Sequence, residues 1–181
     1  MRALGAIGFL VLLIAIAGAI YLFSGYYNVA AREPDAGAVS WALINIRQAS
    51  IKQRAPTEVP VSLDDTAVIQ EGAKAFSQHY CATCHGAPGV KWAKFSEGMR
   101  PYAADLNKTA KNRPAGEIFW IVKNGIDMTG MPSFALLKVS DEEIWNIAAF
   151  IKNLPNVSPD DYKAWTETGS PEPMGMQPVN P

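Results

Sequence analysis

Five consecutive residues, Cys81-Ala82-Thr83-Cys84-His85, constrain this chain more than any other stretch, and they use both of its cysteines. On a helix the first, fourth and fifth positions share one face, so two thiols and an imidazole point the same way within a single turn. That arrangement suits capture of a porphyrin: the thiols form thioethers with its vinyl groups, and the histidine becomes an axial ligand of the iron. A cysteine pair at this spacing also fits half a zinc site, a redox dithiol or a disulfide. Zinc needs four ligands, and beyond these three the chain offers one other histidine, His79, and no further cysteine. A redox dithiol belongs beside a strand-helix pattern, whereas the flanking sequence here is helical. The pentapeptide therefore predicts one covalent haem c, attached through Cys81 and Cys84 and ligated by His85.

Ahead of it, Ala3 to Phe23 runs without a charge behind Met1-Arg2. A helix of that length covers roughly 30 Å, the thickness of a bilayer core. Tyr21, Tyr26 and Tyr27 follow as amphipathic rings suited to the far interface, which predicts a transmembrane anchor over residues 1–24. A cleaved secretory signal is the alternative, with small residues at Val29-Ala30-Ala31, although the apolar run exceeds the usual signal core. Either way residues 32–181 are exported, and Arg2 on the near side agrees weakly with the positive-inside rule. The expected location is the bacterial inner membrane, single-pass, with the haem-bearing part in the periplasm.

The formal net charge of −1 hides an uneven distribution. Between Cys81 and Met131 seven cations face four carboxylates, a net +3, whereas Ser140 to Pro181 carries a net −5. A basic surface around the haem predicts an acidic redox partner, with no nucleic acid and no small-molecule substrate implied.

Residues 25–62 read as a linker with a helix in its middle. Val39 to Arg54 lacks Pro and Gly and places Trp41, Ile44, Gln48 and Ile51 on one face. Such a helix suits the bilayer surface, a membrane partner or the haem domain itself, and Pro56 and Pro60 then make a semi-rigid spacer. Within residues 63–155 the pattern predicts helices from Asp64 to Tyr80, from Glu117 to Lys123 and from Ser140 to Leu154. The last has a capping box of Ser140 with Glu143, a buried stripe of Ile144, Ile147, Ala148 and Ile151, and a stop at Pro155. Gly86 to Pro114 reads as a long polar loop ordered by the cofactor, and the Pro-rich acidic tail 156–181 as extended or disordered. No strand alternation or internal repeat appears, so the fold class is all-α.

A haem iron with one histidine takes a sixth ligand or stays open, and this choice separates carrier from catalyst. A methionine thioether stabilises the reduced iron. Met99, Met128 and Met131 lie in the domain, and Met131 between Gly130 and Pro132 has the flexible-then-fixed backbone of a loop wrapped over a porphyrin face. Met128 is the second choice. His79 is expected in a solvated helix position, Met174-Gly175-Met176 is expected to be tail composition rather than a copper site, and Trp92, Trp120, Arg100 and Arg113 are open between packing, solvation and haem-propionate contacts.

These residues together resemble a class I cytochrome c over roughly residues 64–155: Gly72, then Cys81 through Gly86, Pro101, Asp105-Leu106, Asn124-Gly125, Gly130-Met131-Pro132 and Ile147 to Leu154. The resemblance implies that the first and last helices cross, with Gly72 and Phe76 meeting Ile147 and Phe150, and that Pro101 and Leu106 line the haem edge. Tyr27 to Ala31, followed by a Trp-containing helix, is similar to the juxtamembrane region of some membrane-anchored proteobacterial cytochromes. The expectation is thus an electron carrier or electron-transfer subunit rather than an enzyme in its own right. It would have His85 and Met131 as iron ligands, between a quinol-oxidising complex and a terminal oxidase or periplasmic reductase. The rival is a haem sensor or catalytic subunit with an exchangeable sixth ligand.

Overall fold

The structure, a computed structural model, describes residues 2–33 and 35–167. Among them the architecture is helical, with only an isolated bridge between Ala87 and Val90 in place of a sheet. The chain divides into two compact units, Met1–Leu43 and Ile44–Pro181.

The first unit is dominated by helix α1, Arg2–Phe23. Its side chains from Leu4 onward are exposed, and Leu4–Phe23 is long and apolar enough to cross a membrane. An isolated helix bonds nearly all of its backbone polar groups internally, so lipid can solvate such a surface where water would not. Gly25, in the left-handed region at φ 82°, ends the rod. Tyr27 then donates from its hydroxyl to Asp35 Oδ1 at 2.6 Å and meets the ring of Tyr21 edge-on.

The second unit is built on two crossing helices, α3 (Thr66–Gln78) and α7 (Asp141–Asn153), numbered after α2 (Gly37–Arg54). Asp65 caps α3 by accepting from the Ala67 amide at 2.8 Å, and Ser140 caps α7 by accepting from that of Glu143 at 3.2 Å. The crossing is closest at Gly72, where a Cβ would lie 1.9 Å from the Asn146 carbonyl oxygen. Only a residue without a side chain lets the backbones approach so far. Phe76 and Phe150 meet there with ring centroids 5.2 Å apart. The stripe Ile144, Ile147, Ala148 and Ile151 is buried, and Trp145 on the other flank stacks on Phe119 of α6 (Ala115–Asn124) at 4.2 Å. Helix α7 is thus enclosed nearly all round. The single turn Cys81–His85 is α4, and Leu106–Asn112 is α5.

Two expectations about organisation are corrected and one left open is narrowed. Gly86 to Pro114 is not all loop: Lys94–Gly98 forms a 3-10 turn, and α5 is started by Asp105, whose carboxylate accepts from the amides of Asn107 and Lys108. Leu106 and Ala110, one turn apart, give α5 its buried face. For the helix within 25–62, the setting shown at its C-terminal end is the haem domain, one of those expected. Ile51 of α2 is buried in the second unit at 2% exposure, Gln48 accepts from Arg113 Nη2 at 2.8 Å, and the Pro56 carbonyl lies against Gly116. Leu63 continues the contact, its carbonyl accepting from Asn153 Nδ2 at 2.7 Å. Of the predicted stripe on α2, Ile51 had an apolar surface within reach and took it, whereas Trp41 and Ile44 stay exposed.

The tail is the second correction. Pro159–Glu167 forms a further helix, α8, with Tyr162 buried and stacked on Phe150 at 5.7 Å, rather than an extended chain from residue 156. The remaining part of the expected disorder, with Met174-Gly175-Met176, lies outside the described residues.

Candidate functional site

The turn α4 is isolated by unusual backbone at both ends. Tyr80 precedes it in the left-handed conformation (φ 58°, ψ 23°), and Gly86 follows at φ 69°, its amide donating to the Ala82 carbonyl at 2.8 Å. A side chain at Gly86 would be strained by that φ and would crowd the Val90 carbonyl. The chain therefore leaves α3, makes one turn and departs, with Cys81, Cys84 and His85 presented to the same space.

That space is a cavity of about 510 Å³ whose wall includes Cys81, Cys84, His85, Pro101, Leu106 and Met131. The structure brings all six sequence-nominated residues together. Its floor is apolar, from Phe76, Ile118, Val122, Phe134 and Ile147 among others. His85 Nδ1 lies 2.9 Å from the Ala104 carbonyl oxygen. A carbonyl only accepts, so Nδ1 carries the proton and Nε2 keeps its lone pair for a metal. Burial holds the His85 pKa below its ordinary value, partly offset by that same bond, so the neutral, ligating form prevails at pH 7. Burial also pushes the Cys81 thiol up to about 12.

The methionines separate by position. Met131 is half-buried on the cavity wall, in a loop tied at each step: its amide donates to Thr129 Oγ1 at 3.1 Å, and its carbonyl accepts from the Ile126 amide at 3.1 Å. Gly125 makes the loop possible, because a Cβ there would strike the Met131 carbonyl oxygen and the Pro132 carbonyl carbon at under 3 Å. Beyond it, Ser133 Oγ donates to the Lys123 carbonyl, and the amides of Phe134 and Ala135 donate to Val122 and Lys123. Met128, by contrast, is 94% exposed and absent from the cavity wall. Met99, expected merely to fill the long loop, also reaches the wall, with its thioether packed on Gly130.

His79 is not the solvated residue expected. It lines the cavity, shares a 2.8 Å hydrogen bond between Nε2 and Glu143 Oε1, and meets Phe134 edge-on. Its partner lies 64 positions away, on α7, beyond the reach of any local pattern. Trp92 instead donates to Glu97 at 3.4 Å, Arg100 sits over the Tyr102 ring, and Trp120 is off the cavity wall. Arg113 reaches the wall while bonded to Glu117 and Gln48. Arg47 and Ile51 of α2 also line it; in the sequence Arg47 reads only as one of the cations of this amphipathic helix, with Lys52 and Arg54. The stripe through Gln48 and Ile51 was the available signal that this helix turn is held against something.

Among the described residues no three His, Cys, Asp or Glu side chains converge as around a bare metal ion. An apolar cavity holding the lone-pair nitrogen of His85, two adjacent thiols and thioether sulfur instead fits a porphyrin with a borderline-soft iron. Residues 67–151 match the family model described as cytochrome c oxidase, cbb3-type, subunit III, a stretch that opens in α3 and closes in α7. Neither the curated proteins nor the solved structures yield a match. With the attachment turn, the crossed helices and this match agreeing, the chain carries a cytochrome c domain, preceded by an apolar N-terminal helix.

Proposed function

We propose that this protein is a membrane-anchored periplasmic electron carrier with a single haem c, whose iron His85 and Met131 would ligate. Convergence of Cys81, Cys84, His85 and Met131 on one apolar cavity carries the reading. Haem c, when bound, supplies one-electron Fe(III)/Fe(II) chemistry, and methionine sulfur favours the ferrous state. Cys81 and Cys84 hold the group covalently, Ala104 orients His85 through Nδ1, and the tied loop from Ile126 to Ser133 positions the thioether. Phe76, Phe134 and Ile147 keep water from the site, which lowers the local dielectric and raises the potential. The donor is a quinol-oxidising complex and the acceptor a terminal oxidase or periplasmic reductase. The matched family model takes its name from an oxidase subunit, which supports a bound subunit over a free shuttle. A tether also raises the effective concentration of any membrane partner.

The test is spectroscopic. In full-length protein purified in mild detergent, Met131→Ala is expected to abolish the weak far-red ferric band of a sulfur-to-iron bond. The potential should fall by more than about 59 mV, the equivalent of a tenfold change in a one-electron equilibrium. Met128→Ala and Met99→Ala should keep both. Loss of the band in Met99→Ala, with its persistence in Met131→Ala, would transfer the ligand assignment to Met99.

A further inference from the structure

Among the described residues, the cavity wall carries two arginines, Arg47 and Arg113, and no aspartate or glutamate. Arg113 is already satisfied, with Nη1 donating to Glu117 Oε2 at 2.6 Å and Nη2 to Gln48 Oε1 at 2.8 Å. Arg47 is different. It is half-buried, and among the described residues it has no hydrogen-bond or ion-pair partner. A guanidinium drawn partly out of water beside apolar walls is costly unless an anion faces it, because it presents five donors and cannot shed its proton. Exposed helix positions on either side were open to the chain, yet this turn is fixed in place: the neighbouring Gln48 is bonded to Arg113 between α5 and α6, and Ile51, one turn on, is buried. An occupant of the cavity that carries an anion would satisfy it.

We infer that Arg47 binds a carboxylate of the cofactor, a haem propionate, so that a helix upstream of the matched domain completes the cofactor site. The inference rests on the haem reading above. It assigns α2 a chemical role as well as a packing one: Ile51 supplies wall, and Arg47 supplies the charge that neutralises a propionate. A bidentate guanidinium-carboxylate pair in a poorly solvated cavity is strong and keeps the propionate ionised. Besides the attachment cysteines, the other titratable or charged groups on the wall are His79, His85, Tyr80, Tyr102 and Arg113.

The experiment compares full-length wild type with Arg47→Gln, Arg47→Lys and, as a charge control, Lys52→Gln at an exposed position of the same helix. Covalent haem is measured first, by the alkaline pyridine spectrum of each protein, and the midpoint potential is then titrated from pH 5 to 8. Removing a cation beside the propionate favours ferric iron, so Arg47→Gln should shift the ferrous-to-ferric ratio at fixed poise three- to tenfold toward ferric. It should also gain a pH-dependent step absent from wild type, as the unpaired propionate titrates, whereas His79 contributes equally to both proteins. Arg47→Lys should restore most of the potential, and Lys52→Gln should change neither property. A potential and pH profile in Arg47→Gln matching those of Lys52→Gln would overturn the inference while leaving the haem reading intact. Absence of covalent haem from wild type would instead defeat that reading. If Arg47→Gln yields no holo-protein, recovery by Arg47→Lys supports a need for the charge, and failure of both variants overturns it.

Discussion

A single missing Cβ at Gly72 sets the distance between the two helices that frame the cavity. Alanine there would place its methyl carbon 1.9 Å from the Asn146 carbonyl oxygen and 2.9 Å from Phe150 Cβ, and neither backbone nor a fully buried ring can yield locally. Gly72→Ala should therefore destabilise the folded holo-protein by about 1–3 kcal/mol or more, the usual range for overpacking, although alanine is intrinsically the better helix former. Chemical denaturation followed by tryptophan fluorescence measures it, and an unchanged midpoint would mean that the crossing is looser than the structure has it. Gly72 was legible in the sequence because its need for closeness is shared with a recognisable neighbourhood. The attachment pentapeptide was legible for a stronger reason, since its chemistry is complete within one helical turn. Met131 announced itself through Gly130 and Pro132. His79 did not, because its partner Glu143 lies 64 positions away, and nor did Arg47, because the cavity it lines is walled by residues from distant parts of the chain.

At the scale of elements, what could be read depended on whether a helix carried its own punctuation. Helix α7 has an N-cap, an apolar stripe and a proline stop, and it formed as its pattern required. Helix α8 carries signals as clear, masked by the Pro-rich composition beyond it. Pro159 stands at its first position, and Ser158 Oγ accepts from the Asp161 amide at 3.1 Å while donating to its carboxylate. Its seat is aromatic: Tyr162 stacks on Phe150, which in turn packs on Phe76, joining α8 to the central crossing. Burial raises the Tyr162 pKa while a hydrogen bond with Ser77 lowers it, so the phenol remains neutral at physiological pH and contributes as an apolar ring with one satisfied polar tip. Tyr162→Ala should cost about 3 kcal/mol, within the range for large-to-small changes in a core, and should free α8 for cleavage by trypsin at Lys163. Tyr162→Phe should lose only about 1 kcal/mol, the net worth of one hydrogen bond. If limited proteolysis cuts wild type and Tyr162→Ala at equal rates, α8 is not held by its tyrosine.

For the whole molecule, the boundary that matters is the one between anchor and domain, and the sequence pattern left α2 open between the two. Pro56 and Pro60 suggested a spacer just before the haem domain, yet the domain's own contacts begin in the C-terminal part of α2, where Ile51 is buried while Trp41 and Ile44 remain exposed. Two exchanges distinguish these organisations. Replacing residues 1–36 with an unrelated membrane span leaves α2 whole, from Gly37, so the denaturation midpoint and the potential should match wild type in the same detergent. Replacing residues 1–54 removes Ile51, the Gln48 bond to Arg113 and Arg47 together. Loss of the buried Ile51 side chain alone should cost about 2–5 kcal/mol. Arg113, deprived of Gln48, would keep Glu117 as a partner, so the domain should still fold around its crossed helices, less stably and with a lowered potential. The order of the two effects is diagnostic: a spacer predicts that both exchanges are equally silent, whereas a cofactor site completed by α2 predicts silence in the first and loss of both stability and potential in the second.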